Sequence, residues 1–274
     1  MDGRVHGIDV SHWDGVVDWS AAAAAGVQFA FAKATQGADP GASGYTDGQF
    51  ANNWAAMADA GVIRAAYHFI GLPLPNTPVV NWNVDLHSQI DHFLEVVGPL
   101  QDGDLPPVLD IENGDSPARW NALIKTNRSG ALDIVRELIN YTTAQLGGVI
   151  PILYTGSFWW SDLGNPDDTD DDMPFGAYPL WMAQYPQVHD PLPLPSSPGK
   201  TDMGEAGSFA EYALKLDGHI LRHIPTIWGG SEAPQWAFWQ FSEFGLIPEL
   251  ASGYFDLDVF NGSLDQLNAL CIGA

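Results

Sequence analysis

Two acidic residues close an apolar segment near the middle of the chain. Asp110 and Glu112 follow the run 105–109 and precede the turn-forming residues 113–115. If the run is a buried strand, residues two apart face the same side, so both carboxyl groups emerge together at its carboxyl end. Strand rise places them about 6 to 7 Å apart, a spacing that suits acid–base chemistry on a glycosidic bond. An isolated Asp-x-Glu is more commonly a solvated strand end, so the pair needs support from the rest of the chain.

That support comes from acids near both ends of the sequence. Asp9 ends the strand-like segment 5–10, and Asp256 and Asp258 lie in the last strand-like segment, 254–260. The first and last strands of a barrel are neighbours, so we expect Asp9 and Asp256 to converge on one pocket with the central pair. The spacing leaves open whether Asp258 faces that pocket.

Strand-like and helix-like patterns alternate along the first part of the chain. Strands are predicted at 5–10, 27–34, 62–69, 107–112 and 149–154, and helices at 19–26, 46–60, 85–97 and 129–146, the second with Thr46 as its N-cap. Such repeats build a parallel sheet, and here they predict an α/β fold of the irregular, TIM-like β/α barrel type. Less regular strands follow at 179–184, 235–241 and 254–260. We predict one domain, 1–274, with loop insertions near 72–83 and 186–232.

The composition narrows the classes of partner. Of the 274 residues, 46% are hydrophobic, which is ample for a large core. The net charge of −24 would repel nucleic acids and an anionic membrane surface, so neither is expected as a partner. The single cysteine, Cys271, cannot form an internal disulfide. The N-terminus has no signal-peptide pattern, which predicts export by another route or a targeting segment missing from this chain.

Metal binding has weak support. His219 and His223 lie four residues apart, but no third ligand accompanies them, and the acidic run 167–172 does not fit the spacing of an EF-hand. We therefore expect no metal and no other cofactor.

Short segments distributed over nearly the whole chain resemble those of the glycoside hydrolase family 25 lysozymes, the Chalaropsis-type N-acetylmuramidases. In chain order they are Gly7-Ile8-Asp9-Val10-Ser11, Phe31-Ala32-Lys33-Ala34-Thr35, Ala66-Tyr67-His68-Phe69, Leu109-Asp110-Ile111-Glu112, Leu153-Tyr154-Thr155, Leu180-Trp181, Trp239-Gln240 and Asp256-Leu257-Asp258-Val259-Phe260. The resemblance implies a barrel that hydrolyses the β-1,4 bond between N-acetylmuramic acid and N-acetylglucosamine in peptidoglycan. It also implies a monomer that acts outside the cell or is delivered to the bacterial wall.

The resemblance also implies roles for single residues. Glu112 matches the proton donor, Asp110 its acidic partner, and Asp9 and Asp256 two further active-site acids. The positions that match the sugar-contacting wall are Tyr67, Tyr154, Trp181 and Gln240. The chain departs from the family pattern at Gln36, where the family often has Glu, at Asp258, where it often has Asn, and in the long insertion 186–232.

The expected chemistry follows from clustered acids. Like charges disfavour a further ionisation, so crowding by the other acids should make Glu112 hold its proton, as a general acid must. Asp110 could then act as a nucleophile, as a base toward water, or as the group that orients the substrate's own N-acetyl group. Two alternatives are a wall- or chitin-binding barrel with weak or no catalysis and a chitinase-like hydrolase. Retention of all four acids argues against a binding module, which gains nothing obvious from mutually repelling carboxylates.

Overall fold

The computed structural model describes residues 4–37, 44–72, 82–112, 117–164, 166, 173–185, 224–230, 232–233, 235–245, 247, 249–250 and 254–274. Most of the predicted insertions at 72–83 and 186–232 fall outside these residues, as do the acidic run 167–172 and the pair His219 and His223.

Eight strands close into a barrel, and a short ninth strand extends it at one edge. The strands are β1 Val5–Val10, β2 Phe29–Gln36, β3 Tyr45–Thr46, β4 Ile63–Phe69, β5 Val108–Asp110, β6 Ile152–Gly156, β7 Leu180–Ala183, β8 Phe238–Gly245 and β9 Phe255–Phe260. Around the barrel the order is β1, β2, β4, β5, β6, β7, β8, β9, with β9 paired to β1, while β3 pairs only with the end of β2. The predicted irregular β/α barrel is therefore confirmed.

The last strand departs from the expected parallel arrangement. All pairs from β1 through β8 around the barrel are parallel, but β9 runs antiparallel to both β8 and β1. The beginning of β9 therefore lies at the same edge as the carboxyl ends of the other strands. Asp256, the second residue of β9, reaches this edge because of that reversal. We call this edge the barrel mouth.

Seven α-helices surround the described part of the barrel. They are α1 Trp19–Ala25, α2 Phe50–Asp59, α3 Trp82–Val97, α4 Pro117–Thr126, α5 Arg128–Gln145, α6 Ser157–Asp162 and α7 Leu264–Asn268. The prediction that Thr46 caps the second helix is wrong. Thr46 pairs with Thr35 in the β2–β3 ladder, and the helix begins only at Phe50. The intervening turn is held by Asp47, whose Oδ1 accepts the backbone N–H of Gln49 at 2.9 Å.

Successive side chains along each strand point alternately outward and inward, which gives the protein two hydrophobic cores. Outward-facing residues such as Ile8 and Leu109 pack under the helices in the larger core, and inward-facing residues fill the barrel. The barrel interior is aromatic: Phe31 lies 4.0 Å from Trp181 and 5.0 Å from Phe238 between ring centroids. Gly7 leaves room for this packing, since a Cβ there would lie 2.5 Å from the ring of Phe29. The barrel is thus filled by side chains below its mouth.

None of the helices in the described part of the chain is long and apolar enough to cross a membrane.

Candidate active site

The predicted acids meet at the barrel mouth. Asp9 ends β1 and lies directly opposite Asp256 in the β1–β9 ladder. Asp110 ends β5, and Glu112 follows it on the same side by strand alternation. The charges of Asp9, Asp110 and Asp256 all act on the hydroxyl of Tyr67, raising its pKa further above the level that burial alone produces. The fold therefore brings acids that are distant in the sequence to one edge of the barrel.

Gln240 links the two acids of β1 and β9 to two tyrosines. Its Nε2 donates to Asp9 Oδ2 at 2.7 Å and to Asp256 Oδ2 at 3.3 Å. Its Oε1 accepts from the hydroxyls of Tyr154 and Tyr185, each at 2.9 Å. Both ends of the amide are satisfied in one orientation, so Gln240 fixes the positions of the two carboxyl groups from inside the barrel.

Asp258 belongs to the same network, which the sequence left open. Its side chain is fully buried, it accepts the indole N–H of Trp181 at 2.7 Å, and its carboxyl group is in hydrogen-bonding contact with that of Asp9. The charge of Asp258 raises the pKa of Asp9 beyond the rise that burial produces. Asp258 therefore lies in the barrel interior between Asp9 and Trp181.

One basic residue offsets this negative charge. Lys33, on β2, donates to Gln36 Oε1 at 2.6 Å and lies 4.6 Å from the centre of the Phe69 ring. Its positive charge lowers the pKa of both Asp110 and Glu112, opposing the effect of burial. Lys33 therefore favours the ionised forms of Asp110 and Glu112.

Burial is the largest cause of the pKa shifts at the site. It raises the pKa of Asp9, Asp110, Asp256 and Asp258 well above the usual range and that of Glu112 above its usual range. The neighbouring charge of Glu112 raises the pKa of Asp110 further. The expectation that repulsion makes Glu112 hold its proton is therefore corrected: desolvation does so, while Lys33 opposes it.

One carboxyl oxygen of Asp110 lacks a partner within the part of the chain that the structure describes. Its Oδ1 is buried and has no hydrogen-bond partner among the described residues. A buried acceptor without a donor is costly, and a substrate N–H or O–H group at the pocket would satisfy it. This oxygen distinguishes Asp110 from Asp9 and Asp256, whose Oδ2 atoms accept hydrogen bonds from Gln240.

The residues predicted to line the sugar site occupy different depths. Trp181 is 2% exposed and Gln240 is also 2% exposed, so both lie in the interior of the barrel. Tyr154 is buried beside Trp181, with 4.5 Å between ring centroids. Tyr67 is only partly buried and stands at the pocket surface. Direct contact with sugar stays a prediction for all four, and Tyr67 is the one most open to a ligand.

Sequence reasoning missed Lys33 and Tyr185 as site residues. A period-two pattern would have found Lys33, because Phe29 and Phe31 on the same strand point into the barrel. The same pattern relates Tyr185 to Trp181, four residues earlier. A metal site has no support within the described ranges, where no three His, Cys, Asp or Glu side chains are grouped to hold an ion.

Comparison with known proteins adds an independent line of observation. The model of "Glycosyl hydrolases family 25" matches residues 8–202. Lysozyme M1 of Streptomyces globisporus is 30% identical over 270 residues, which cover 97% of this chain and 71% of that protein. A bacterial lysozyme from Streptomyces coelicolor superimposes with a TM-score of 0.68 at 27% identity, covering 99% of this chain and 98% of the other. A family GH25 lysozyme from Aspergillus fumigatus superimposes with a TM-score of 0.63 at 25% identity, covering 98% and 100%.

The family match spans most of the chain and includes the strands that carry Asp9, Lys33, Asp110 and Glu112. The superposition on the lysozyme from Streptomyces coelicolor covers 99% of this chain. The chain belongs to glycosyl hydrolase family 25.

Proposed function

We propose that this protein is a lysozyme that hydrolyses the β-1,4 bond between N-acetylmuramic acid and N-acetylglucosamine in peptidoglycan. The observation that carries the proposal is the convergence of Asp9, Asp110, Glu112 and Asp256 at the mouth of a family 25 barrel. Lys33 supports it, because its positive charge lowers the pKa of both Asp110 and Glu112 and so favours ionisation of one acid beside the other.

In the proposed reaction Glu112 gives its proton to the glycosidic oxygen as the bond to the leaving sugar breaks. Its raised pKa keeps the proton available near the pH at which the enzyme works. In this proposal Asp110 is the ionised acid of the pair, with the charge of Lys33 opposing the rise in its pKa that burial and Glu112 cause, and it stabilises the positive charge that develops on the sugar ring. The unpartnered Oδ1 of Asp110 supports direct contact with substrate, whether Asp110 acts as nucleophile, as base toward water or as the group that orients the N-acetyl group. Asp9 and Asp256, held by Gln240, complete the acidic wall.

The chemical identity of the new reducing ends tests this function. We expect digestion of purified peptidoglycan to create reducing ends of N-acetylmuramic acid, because the family resemblance implies cleavage on that side. The digest is reduced with borohydride and its products are identified by mass spectrometry, with chitin as the parallel substrate. Termini of N-acetylglucosaminitol alone would refute the muramidase assignment, and products from chitin alone would favour the chitinase-like alternative.

A second test concerns the charge of Lys33. For the wild type we expect a bell-shaped dependence of rate on pH with its maximum on the acidic side of neutrality. Lys33 lowers the pKa of Asp110 and of Glu112, so Lys33→Met should raise both pKa values and move both limbs of the bell toward higher pH. The measurement is kcat/KM against pH on soluble wall fragments. Lys33→Arg keeps the charge and serves as the control. A Lys33→Met maximum at the wild-type pH would contradict this role.

The alternative of a binding barrel without catalysis predicts that the protein binds peptidoglycan and creates no new reducing ends.

We also propose that the protein acts on the bacterial cell wall, outside the cell or after delivery to it, and that it acts as a monomer. Both proposals follow from the substrate and from the family resemblance.

A further inference from the structure

Three aromatic side chains stand beside the acids at the barrel mouth. Trp13 is 85% exposed and Tyr45 is 41% exposed. Between them lies His12, whose ring centroid is 4.5 Å from that of Trp13 and 5.7 Å from that of Tyr45. We call these three residues the aromatic shelf. Exposed apolar surface of this kind is unfavourable in water and commonly marks a place where a ligand binds.

A buried carboxylate fixes the shelf. The side chain of Asp47 has no exposed surface, and its Oδ2 accepts the backbone N–H of His12 at 3.0 Å and lies 2.7 Å from His12 Nδ1. The hydroxyl of Tyr45 lies 3.0 Å from the same nitrogen. These contacts join residues more than 30 positions apart in the chain. His12 and Tyr45 are therefore held in place before a ligand arrives, which reduces the entropy lost on binding.

The shelf is continuous with the acid cluster on two sides. Asp14 follows Trp13 directly, and its charge raises the pKa of both Asp9 and Asp256. On the other side Tyr45 pairs with Gln36, whose Oε1 accepts a hydrogen bond from Lys33. A polymer that runs across the mouth and past the acids would therefore meet the shelf.

We propose that His12, Trp13 and Tyr45 bind one saccharide ring of the wall glycan, outside the pair of sugars whose bond is cleaved. The inference rests on the proposed lysozyme function. Flat aromatic faces cover the apolar C–H face of a sugar, while the Tyr45 hydroxyl and the imidazole offer polar edges for its hydroxyl and N-acetyl groups. The net charge of −24 disfavours an anionic wall polymer as the occupant.

The experiment separates binding from turnover. In a Glu112→Gln background, binding to insoluble peptidoglycan is measured for the parent, Trp13→Ala and Trp13→Phe. Leu264→Ala is the control, because Leu264 is 40% exposed at the start of α7, after β9 has carried the chain to the opposite end of the barrel. We expect Trp13→Ala to bind about three- to ten-fold more weakly, Trp13→Phe to be intermediate, and Leu264→Ala to match the parent.

A second readout uses the active protein. Trp13→Ala should lower kcat/KM on long glycan strands by a similar factor and leave kcat/KM unchanged on the shortest fragment that is cleaved. The proposal that the aromatic shelf binds sugar would be overturned if Trp13→Ala bound peptidoglycan as tightly as the parent. It would also be overturned if kcat/KM fell equally on short and long substrates. Neither result would contradict the lysozyme function. If the parent neither binds peptidoglycan nor, with Glu112 restored, cleaves it, both the shelf and the proposed function are overturned.

Discussion

Glu112→Gln is expected to lower the rate of peptidoglycan hydrolysis by about a hundred- to ten-thousand-fold, the usual effect of losing a positioned general acid. Glutamine has nearly the same shape as protonated glutamic acid but cannot release a proton to the leaving oxygen. Glu112 follows the end of β5 at the pocket and makes no hydrogen bond on which the described fold depends, so the protein should stay folded. The rate is measured by release of reducing ends, and folding by circular dichroism and thermal unfolding.

Glu95→Gln is the matched control for this substitution. Glu95 is exposed on α3, away from the barrel mouth, so its amide variant should keep wild-type activity. The assignment of Glu112 as proton donor would be lost if Glu112→Gln retained a rate within a few-fold of the wild type. Normal folding with retained glycan binding would complete the case for a chemical role.

Trp181→Ala is expected to lower the free energy of unfolding by roughly 3 to 5 kcal/mol, the usual range for removing a buried aromatic ring. The indole is 2% exposed and stacks on Phe31 at 4.0 Å between centroids. Its N–H also donates to Asp258 at 2.7 Å, so truncation leaves a buried carboxyl group without that donor. Because Asp258 touches Asp9, activity per folded molecule should fall as well.

Urea denaturation measures the stability of this variant, and activity is normalised to the folded fraction. Trp181→Phe keeps a ring against Phe31 but loses the N–H, so it should be destabilised less than Trp181→Ala. Trp13→Ala serves as the surface control and should leave the free energy of unfolding within about 0.5 kcal/mol of the wild type. Wild-type stability in Trp181→Ala with reduced glycan binding would show that the indole acts as a sugar contact and not as a core residue.

The strand periodicity and the order of the acids were sufficient to predict the barrel and the convergence of Asp9, Asp110, Glu112 and Asp256. The reason is that residue alternation and the closure of a barrel are local and topological rules, which hold whatever the side chains between them. Alternation also assigned the strand at 5–10. The preference of glycine for the position after a helix assigned the end of α1 at Gly26, where φ is 111° and left-handed.

Other features depended on contacts between distant segments. The sequence does not show that β9 runs antiparallel, because strand direction is set by how the chain returns from β8 and not by the residues of β9. Thr46 has the side chain of a helix cap, yet it enters a ladder with β2 because its partner Thr35 lies eleven residues earlier in sequence and adjacent in space. Local preference was overridden there by tertiary pairing.

The electrostatics of the site needed the tertiary structure most. The sequence did not show whether Asp258 faces the pocket, and it indicated Lys33 only as part of a segment that resembles the family. The fold buries Asp258 between Trp181 and Asp9. It also places Lys33 where its positive charge lowers the pKa of Asp110 and of Glu112. The sequence by itself therefore determined that Asp9, Asp110, Glu112 and Asp256 approach one another. Only the folded barrel decided how much water each carboxyl group loses and which charge faces it, because desolvation and Coulomb energy depend on distances that sequence spacing does not contain.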